Sequence, residues 1–371
     1  MTASDVRIAT WYVCVSKNSH FRNLTCHQGY VRAINPAVQA GERWSWKMTS
    51  PAMLAHAVKE HGWMFLPNQV LPPLLANTIV GAVLYAGYLQ TLGTIHEPSA
   101  QPSKRIYPPP SFGTAATAGF VAGGVQSLIA APVDALQVRF QSRELMEGKY
   151  RDMWQYGYLK TREIGLRGIF AGWSLSFVRD SIGYGLFFGT FEYIKSQCFY
   201  RFVSEYYGHY GKLSSSQQAM IDSQSSMLGN ENPVIKPHYL MEPCFIGGAG
   251  VAASIAQQVV QHPIGRIQDI HYDRLEYIDS HDHSKAGVPK REALKLYASA
   301  YRKTWKQVLV LARRDTSGLR RWLYKDFFWS TLKQVPSTSI GLIVFEVVRR
   351  KYATDEDNVL IEKDGYDIML P

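Results

Sequence analysis

Tyr150-Arg151-Asp152-Met153-Trp154 recurs as Tyr301-Arg302-Lys303-Thr304-Trp305, and each copy opens a longer stretch of matched landmarks. Gly165-Leu166-Arg167 trails one and Gly318-Leu319-Arg320 the other at nearly the same distance. Phe191-Glu192-Tyr193-Ile194-Lys195 then lies 26 residues past Gly165, and Phe345-Glu346-Val347-Val348-Arg349 lies 27 past Gly318. Upstream, Pro132 and Pro263 each close a run without charges. Gly119-x-x-x-Gly123 and Gly250-x-x-x-Ser254 stand at equal distances before those prolines. A fainter third copy starts at Gly62, with Tyr88 standing 26 residues beyond it. Self-similarity at a fixed period marks a repeat architecture, in which units bury their apolar faces against one another.

Each copy is built around apolar spans. Leu71 to Leu89, Ser111 to Val133 and Pro243 to Gln261 contain no Asp, Glu, Lys or Arg. Helices of that length cover about 30 Å, the thickness of a bilayer core. Two further apolar stretches carry charge: Gly168 to Phe191 holds Arg179 and Asp180, and Phe327 to Phe345 holds Lys333. Charges at bilayer depth cost roughly 2.5–3.5 kcal/mol and usually face a bundle interior or an aqueous cavity. Arg179, Asp180 and Lys333 are therefore functional candidates. Small residues four apart allow close helix approach. A proline at the end of a span is expected to break and turn the helix, so Pro132 and Pro263 are read as helix-kink positions.

Net charge is +10, and it is unevenly placed. Asp134 to Arg167 and Ile264 to Asp326 together hold 21 Lys and Arg, whereas Gln90 to Pro110 and Ser196 to Glu242 hold 5. Alternation of this kind is what the positive-inside rule describes. No zinc-finger, basic-region or RNA-binding pattern accompanies the basic charge, so nucleic acid is not an expected partner. The four cysteines are too scattered for a metal or redox motif. His281-Asp282-His283 sits among acidic residues and reads as solvated, with no metal expected. No nucleophile–base pair or phosphate loop appears, so neither catalysis nor a cofactor is expected.

Pro132-Val133-Asp134-Ala135-Leu136-Gln137-Val138-Arg139-Phe140-Gln141 follows the pattern Pro-x-Asp/Glu-x-x-Lys/Arg-x-Lys/Arg-x-Gln, lacking only the first base, which is Gln137. Phe191-Glu192-x-x-Lys195 and Phe345-Glu346-x-x-Arg349 both satisfy Phe/Tyr-Asp/Glu-x-x-Lys/Arg. In register with the repeat, these motifs resemble the mitochondrial carrier family over roughly Ser50 to Tyr352. The resemblance implies an all-α membrane protein: three helix-pair repeats with pseudo-threefold symmetry, five to six membrane helices, and a water-filled funnel closed by two gates of inter-repeat ion pairs. It places Asp134, Gln137, Arg139, Gln141 and Gln268 at the matrix-side gate. Glu192, Lys195, Glu346 and Arg349 fall at the cytoplasmic gate. Arg179 and Asp180 take a substrate-contact point, with Asn77 their counterpart in copy one and Lys333 or Gln334 in copy three. An arginine can hold a carboxylate and an aspartate an ammonium group. The alternative is that the two balance each other inside the bundle.

The departures matter equally. No charge-free run precedes Ser50, so the first odd helix has no recognisable counterpart. In Pro263-Ile264-Gly265-Arg266-Ile267-Gln268, Gly265 replaces the expected acid and Gln268 the base. Leu89 comes after Tyr88 where the cytoplasmic gate calls for an acid. The expected organisation is an N-terminal region without a clear span (1–49), an incomplete first repeat (50–95), a second repeat (111–200), a polar loop (201–240), a third repeat with an inserted segment (241–352, insertion 271–290) and a tail (353–371). The loop 204–237 is a candidate protein-partner surface. The implied function is transport of a small metabolite, an amino acid or carnitine-like zwitterion, across the mitochondrial inner membrane, with bilayer lipid, including cardiolipin, around it. The alternative is a carrier-fold scaffold or adaptor of the outer membrane that has lost transport.

Overall fold

The computed structural model describes residues 62–64, 66–100, 106, 108–138, 153–206, 234–235, 238, 241–282, 290–314, 318–351, 360–363 and 366–369, with isolated positions between them. Nine α-helices account for most of the described residues: α1 Leu71–Ile95, α2 Phe112–Val138, α3 Met153–Phe170, α4 Trp173–Glu192, α5 Phe199–Tyr206, α6 Met241–Asp282, α7 Lys290–Arg314, α8 Gly318–Leu323 and α9 Phe327–Lys351. Three of them, α1, α2 through Leu136 and α6 through Leu275, are long and apolar enough to cross a membrane. These contain the three charge-free runs of the sequence, apart from Ser111, which stands just before α2.

Helix boundaries reflect local chemistry. The Ser111 hydroxyl accepts a hydrogen bond from the Thr114 amide at 3.1 Å, capping the orphan donors at the start of α2. Leu66–Val70 forms a π-helical turn ahead of α1, whose Pro72 and Pro73 fall in its first turn, where no intrahelical donor is lost. The repeat is visible in the backbone: Gly62, Gly165 and Gly318, equivalent in the three copies, all adopt positive φ, at 76°, 65° and 78°. No neighbour lies within 4 Å of a Cβ built on any of them, so backbone conformation and not crowding calls for glycine there.

The prolines depart from expectation. Pro132 and Pro263 lie inside α2 and α6, which continue to Val138 and Asp282. An interior proline costs about 3 kcal/mol, and burial of the turns beyond, at Ala135, Gln268, His271 and Leu275, offsets it. Neither proline ends its helix as the sequence leads one to expect. For the same reason the segment from His271 to Asp282, expected as part of an insertion, continues α6.

The chain packs as two compact units. The first comprises residues 1–84, 124–180 and 261–327. Within it, Ala131, Ala135 and Ile169 pack with Trp173, and Val308, Ala312 and Trp322 bury against Ile267, Ile270 and Leu311. The second comprises residues 85–123, 181–260 and 328–371. In it α2 and α4 approach so closely that a Cβ at Gly119 would stand 2.5 Å from the Tyr184 carbonyl oxygen. Gly250 does the same for α6 and α9, where a Cβ would stand 3.2 Å from the Ser339 Cα. The small residues four apart thus act as contact points between helices.

A three-stranded sheet also belongs to the second unit. The tail forms a hairpin of β2 Leu360–Lys363 and β3 Tyr366–Met369, and β3 pairs in parallel with β1 Val234–Ile235 from the polar loop.

Candidate functional site

Within the first unit, three helices bring polar side chains to one place. Arg179 grips Asp180 in two-pronged fashion, Nε to Oδ1 at 2.7 Å and Nη2 to Oδ2 at 3.1 Å. Its Nη1 donates to the Gln268 side-chain carbonyl at 2.7 Å. The Gln268 amide then donates to both the Ser176 hydroxyl and the Tyr272 phenol, each at 2.7 Å. Ser176 and Tyr272 stand 2.8 Å apart, and Ser176 donates to Asp134 Oδ2 at 3.4 Å. These bonds are mutually consistent when Tyr272 donates to Ser176 and Ser176 to Asp134, so one directional chain links α4, α6 and α2. Asp180, Gln268 and Ser176 are buried, whereas the Arg179 side chain keeps 26% exposure.

Alongside this network, Gly172 lets α4 start under α6: a Cβ there would meet the Tyr272 ring at 2.2 Å. Tyr301 on α7 donates to the Ala171 carbonyl at 2.8 Å and accepts from Ser174 at 2.7 Å. Burial pushes its phenol pKa up, and the Ser174 bond works against that shift. Its ring lies 4.1 Å from that of His271, so α7 is fixed to the turn that opens α4.

The second unit holds a separate ionic cluster. Lys195 Nζ lies 3.3 Å from Glu346 and 3.5 Å from Glu192, all three nearly buried, and Ser196 donates to Glu192 at 2.8 Å. Lys195 sits in a π-helical turn, Tyr193–Cys198, that interrupts the run of α4 into α5. Beside it Tyr88 stacks on Phe188 with ring centres 3.8 Å apart, and Tyr85 stacks on Phe345 at 4.6 Å. Helix α1 therefore meets α4 and α9 through aromatic rings, and the ionic cluster joins the end of α4 and the turn after it to α9.

The mitochondrial carrier protein family model matches residues 108–201, which hold α2, α3 and α4. Over that stretch the chain is similar to mitochondrial carrier proteins. It is 29% identical over 125 residues to the mitochondrial arginine transporter BAC2 of Arabidopsis thaliana, covering 34% of this chain and 39% of the relative. It is 28% identical over 140 residues to the mitochondrial substrate carrier family protein S of Dictyostelium discoideum, covering 38% and 47%. The matched stretches thus span less than half the length of these curated relatives. No solved structure matches the chain.

In this chain the residues expected at the substrate point and the matrix gate have different fates. Arg179, Asp180, Asp134 and Gln268 come together in one hydrogen-bonded network. Asn77 lies on α1, in the same unit but without a hydrogen bond to that network. On α9 in the second unit, Gln334 accepts a hydrogen bond from Gln258 of α6, while Lys333 is exposed. Gln137 lies in α2, but its side chain is outside the described residues, as is that of Arg349 in α9. Arg139 and Gln141 lie outside the described residues altogether, as do residues 1–49 and most of loop 204–237. The side chains of His281 and Asp282, and all of His283, are likewise outside them.

The sequence alone does not single out Ser176 and Tyr272. Ser176 precedes Arg179 by three residues and Tyr272 comes four after Gln268, spacings that place each pair on one helix face. Arg266, the base that copy three does keep near its motif, is engaged elsewhere. Its guanidinium lies 4.5 Å over the Trp322 ring and donates to the Lys325 carbonyl at 3.1 Å.

Proposed function

We propose that this chain moves a small amino-acid-like metabolite across the mitochondrial inner membrane by alternating access. The observation that carries the reading is Arg179, a guanidinium held on α4 by Asp180 and Gln268 yet a quarter exposed. So costly a group at bilayer depth usually serves a ligand or an ion path. It is joined by hydrogen bonds to Gln268 and, through Ser176, to Asp134, the positions that the family motif assigns to a gate, so ligand binding and gate closure would share one network. The arginine-transporting relative supports an amino acid as the class of solute. Helices α1, α2 and α6 supply the apolar spans such a carrier needs.

The test is uptake of labelled amino acids by liposomes reconstituted with the purified protein. Arg179→Ala should lower uptake at least about tenfold, the worth of one charge-assisted hydrogen bond set. No uptake above empty vesicles across a broad solute panel overturns the proposal.

A second reading has an observation of its own. Asp180 occupies Nε and Nη2 of Arg179, the planar fork that a substrate carboxylate would otherwise use. On that reading the pair is structural, and the chain is a carrier-fold scaffold in the outer membrane. Protease accessibility in intact mitochondria separates the two, because outer-membrane residence favours the scaffold.

A further inference from the structure

The charges in the Arg179 network do not balance. One guanidinium faces two carboxylates. Asp180 takes up Arg179 through two hydrogen bonds, so Asp134 shares the field of that one guanidinium without a hydrogen bond to it, and among the described residues of the network one positive charge serves two carboxylates. Asp134 instead accepts a hydrogen bond from a neutral hydroxyl, that of Ser176, at a long 3.4 Å. The neighbour that the family motif would make a base is Gln268, whose amide contributes dipoles but no charge. Tyr272 and Ser176 are neutral, and His271 on the same helix turns its Nδ1 to Thr304 at 3.1 Å. Arg266 is committed to Trp322 and the Lys325 carbonyl.

A carboxylate in a low-dielectric site is costly unless a cation accompanies it. From this we infer that the site takes a substrate with net positive charge, a guanidinium or alkylammonium compound, and that Asp134 is its counter-ion. The inference rests on the transport reading for its biological sense, and it narrows the solute from a zwitterion to a cation. Asp134 thereby changes role. With Gln268 in place of a base, no described residue of copy three pairs with it as an ion, and its carboxylate serves the solute. Ser176 and Tyr272 are positioning residues that hold the carboxylate and the amide in place.

The experiment compares arginine with citrulline, which has the same shape but a neutral ureido group in place of the guanidinium. Thermal unfolding of the detergent-purified full chain is monitored with each compound, and uptake is measured in parallel. Arginine should raise the unfolding temperature and citrulline should not, at equal concentration. Asp134→Asn should weaken arginine binding about tenfold, the worth of one charged hydrogen bond. Asp134→Glu should keep the preference for arginine. Gln268→Lys, which supplies the missing cation, should abolish it, and it decides the matter should Asp134→Asn fail to fold. Equal stabilisation by both compounds, stabilisation by neither, or an arginine preference that survives both Asp134→Asn and Gln268→Lys overturns the inference. If arginine binds selectively but no vesicle uptake accompanies it, transport falls and the charge assignment stands.

Discussion

Lys195 of copy two reaches Glu346 of copy three at 3.3 Å, with both side chains at most one-tenth exposed. The two residues are 151 positions apart, each in the motif that the repeat places at the end of an even helix. Removing one partner of a buried pair strands the other in low dielectric, at roughly 3–5 kcal/mol. Lys195→Met should therefore lower the unfolding temperature sharply. The charge-swapped pair Lys195→Glu with Glu346→Lys should recover part of the loss. A swap no more stable than the single variants would show that the helices do not depend on this bridge.

Helix approach makes a second prediction. Gly119→Ala puts a Cβ 2.5 Å from the Tyr184 carbonyl oxygen and 3.1 Å from Phe188. Backbone cannot yield as a side chain can, so α2 and α4 must separate, at about 1–3 kcal/mol. Gly247→Ala is the control: nothing lies within 4 Å of its Cβ, and it sits in α6. There alanine should be neutral or stabilise by up to about 1 kcal/mol. Thermal unfolding of the two single variants, side by side, checks the difference in sign.

The repeat glycines behave differently, because space is not the constraint. At Gly165 φ is 65° and ψ is 173°, a region essentially confined to glycine. Gly165→Ala should cost roughly 1–3 kcal/mol although its Cβ would touch nothing. Gly318→Ala, at φ 78°, should also destabilise. An unfolding temperature unchanged in both variants would mean the chain turns there by another route.

These glycines also mark how far the sequence can be read. The repeat spacing is sufficient to pair Gly62, Gly165 and Gly318, and their shared positive φ reflects a conformation that glycine alone adopts freely. The charge-free runs likewise mark α1, α2 and α6, because exclusion of charge is a property of single helices. The course of α6 past Pro263 is not legible, since it depends on His271 and Leu275 finding a buried home against residues far along the chain. The hairpin of β2 and β3 does leave a signal: Asp364-Gly365 lies between two short apolar-containing runs, a pairing favoured in two-residue loops. Its partner β1, two residues long, carries no signal of its own. At the site, Arg179, Asp180, Asp134 and Gln268 are visible through motif and charge. Ser176 and Tyr272 are not, because a hydroxyl bridging two helices is defined only once those helices are packed.

That bridge gives the last prediction. Ser176 accepts from Gln268 and donates to Asp134, and Tyr272 shares both Ser176 and Gln268. Ser176→Ala leaves a carboxylate oxygen and an amide hydrogen without this partner, at about 1–3 kcal/mol. Tyr272→Phe removes the phenol from the same Gln268 amide at 2.7 Å. Because the two hydroxyls also hydrogen-bond each other at 2.8 Å, the first substitution already breaks a bond of the second, and losing the second should cost less once the first is gone. A double-mutant cycle on unfolding free energy should show a coupling of roughly 0.5–3 kcal/mol. Strict additivity would mean that Ser176 and Tyr272 act independently, and the chain of hydrogen bonds from Arg179 to Asp134 would then not function as one unit.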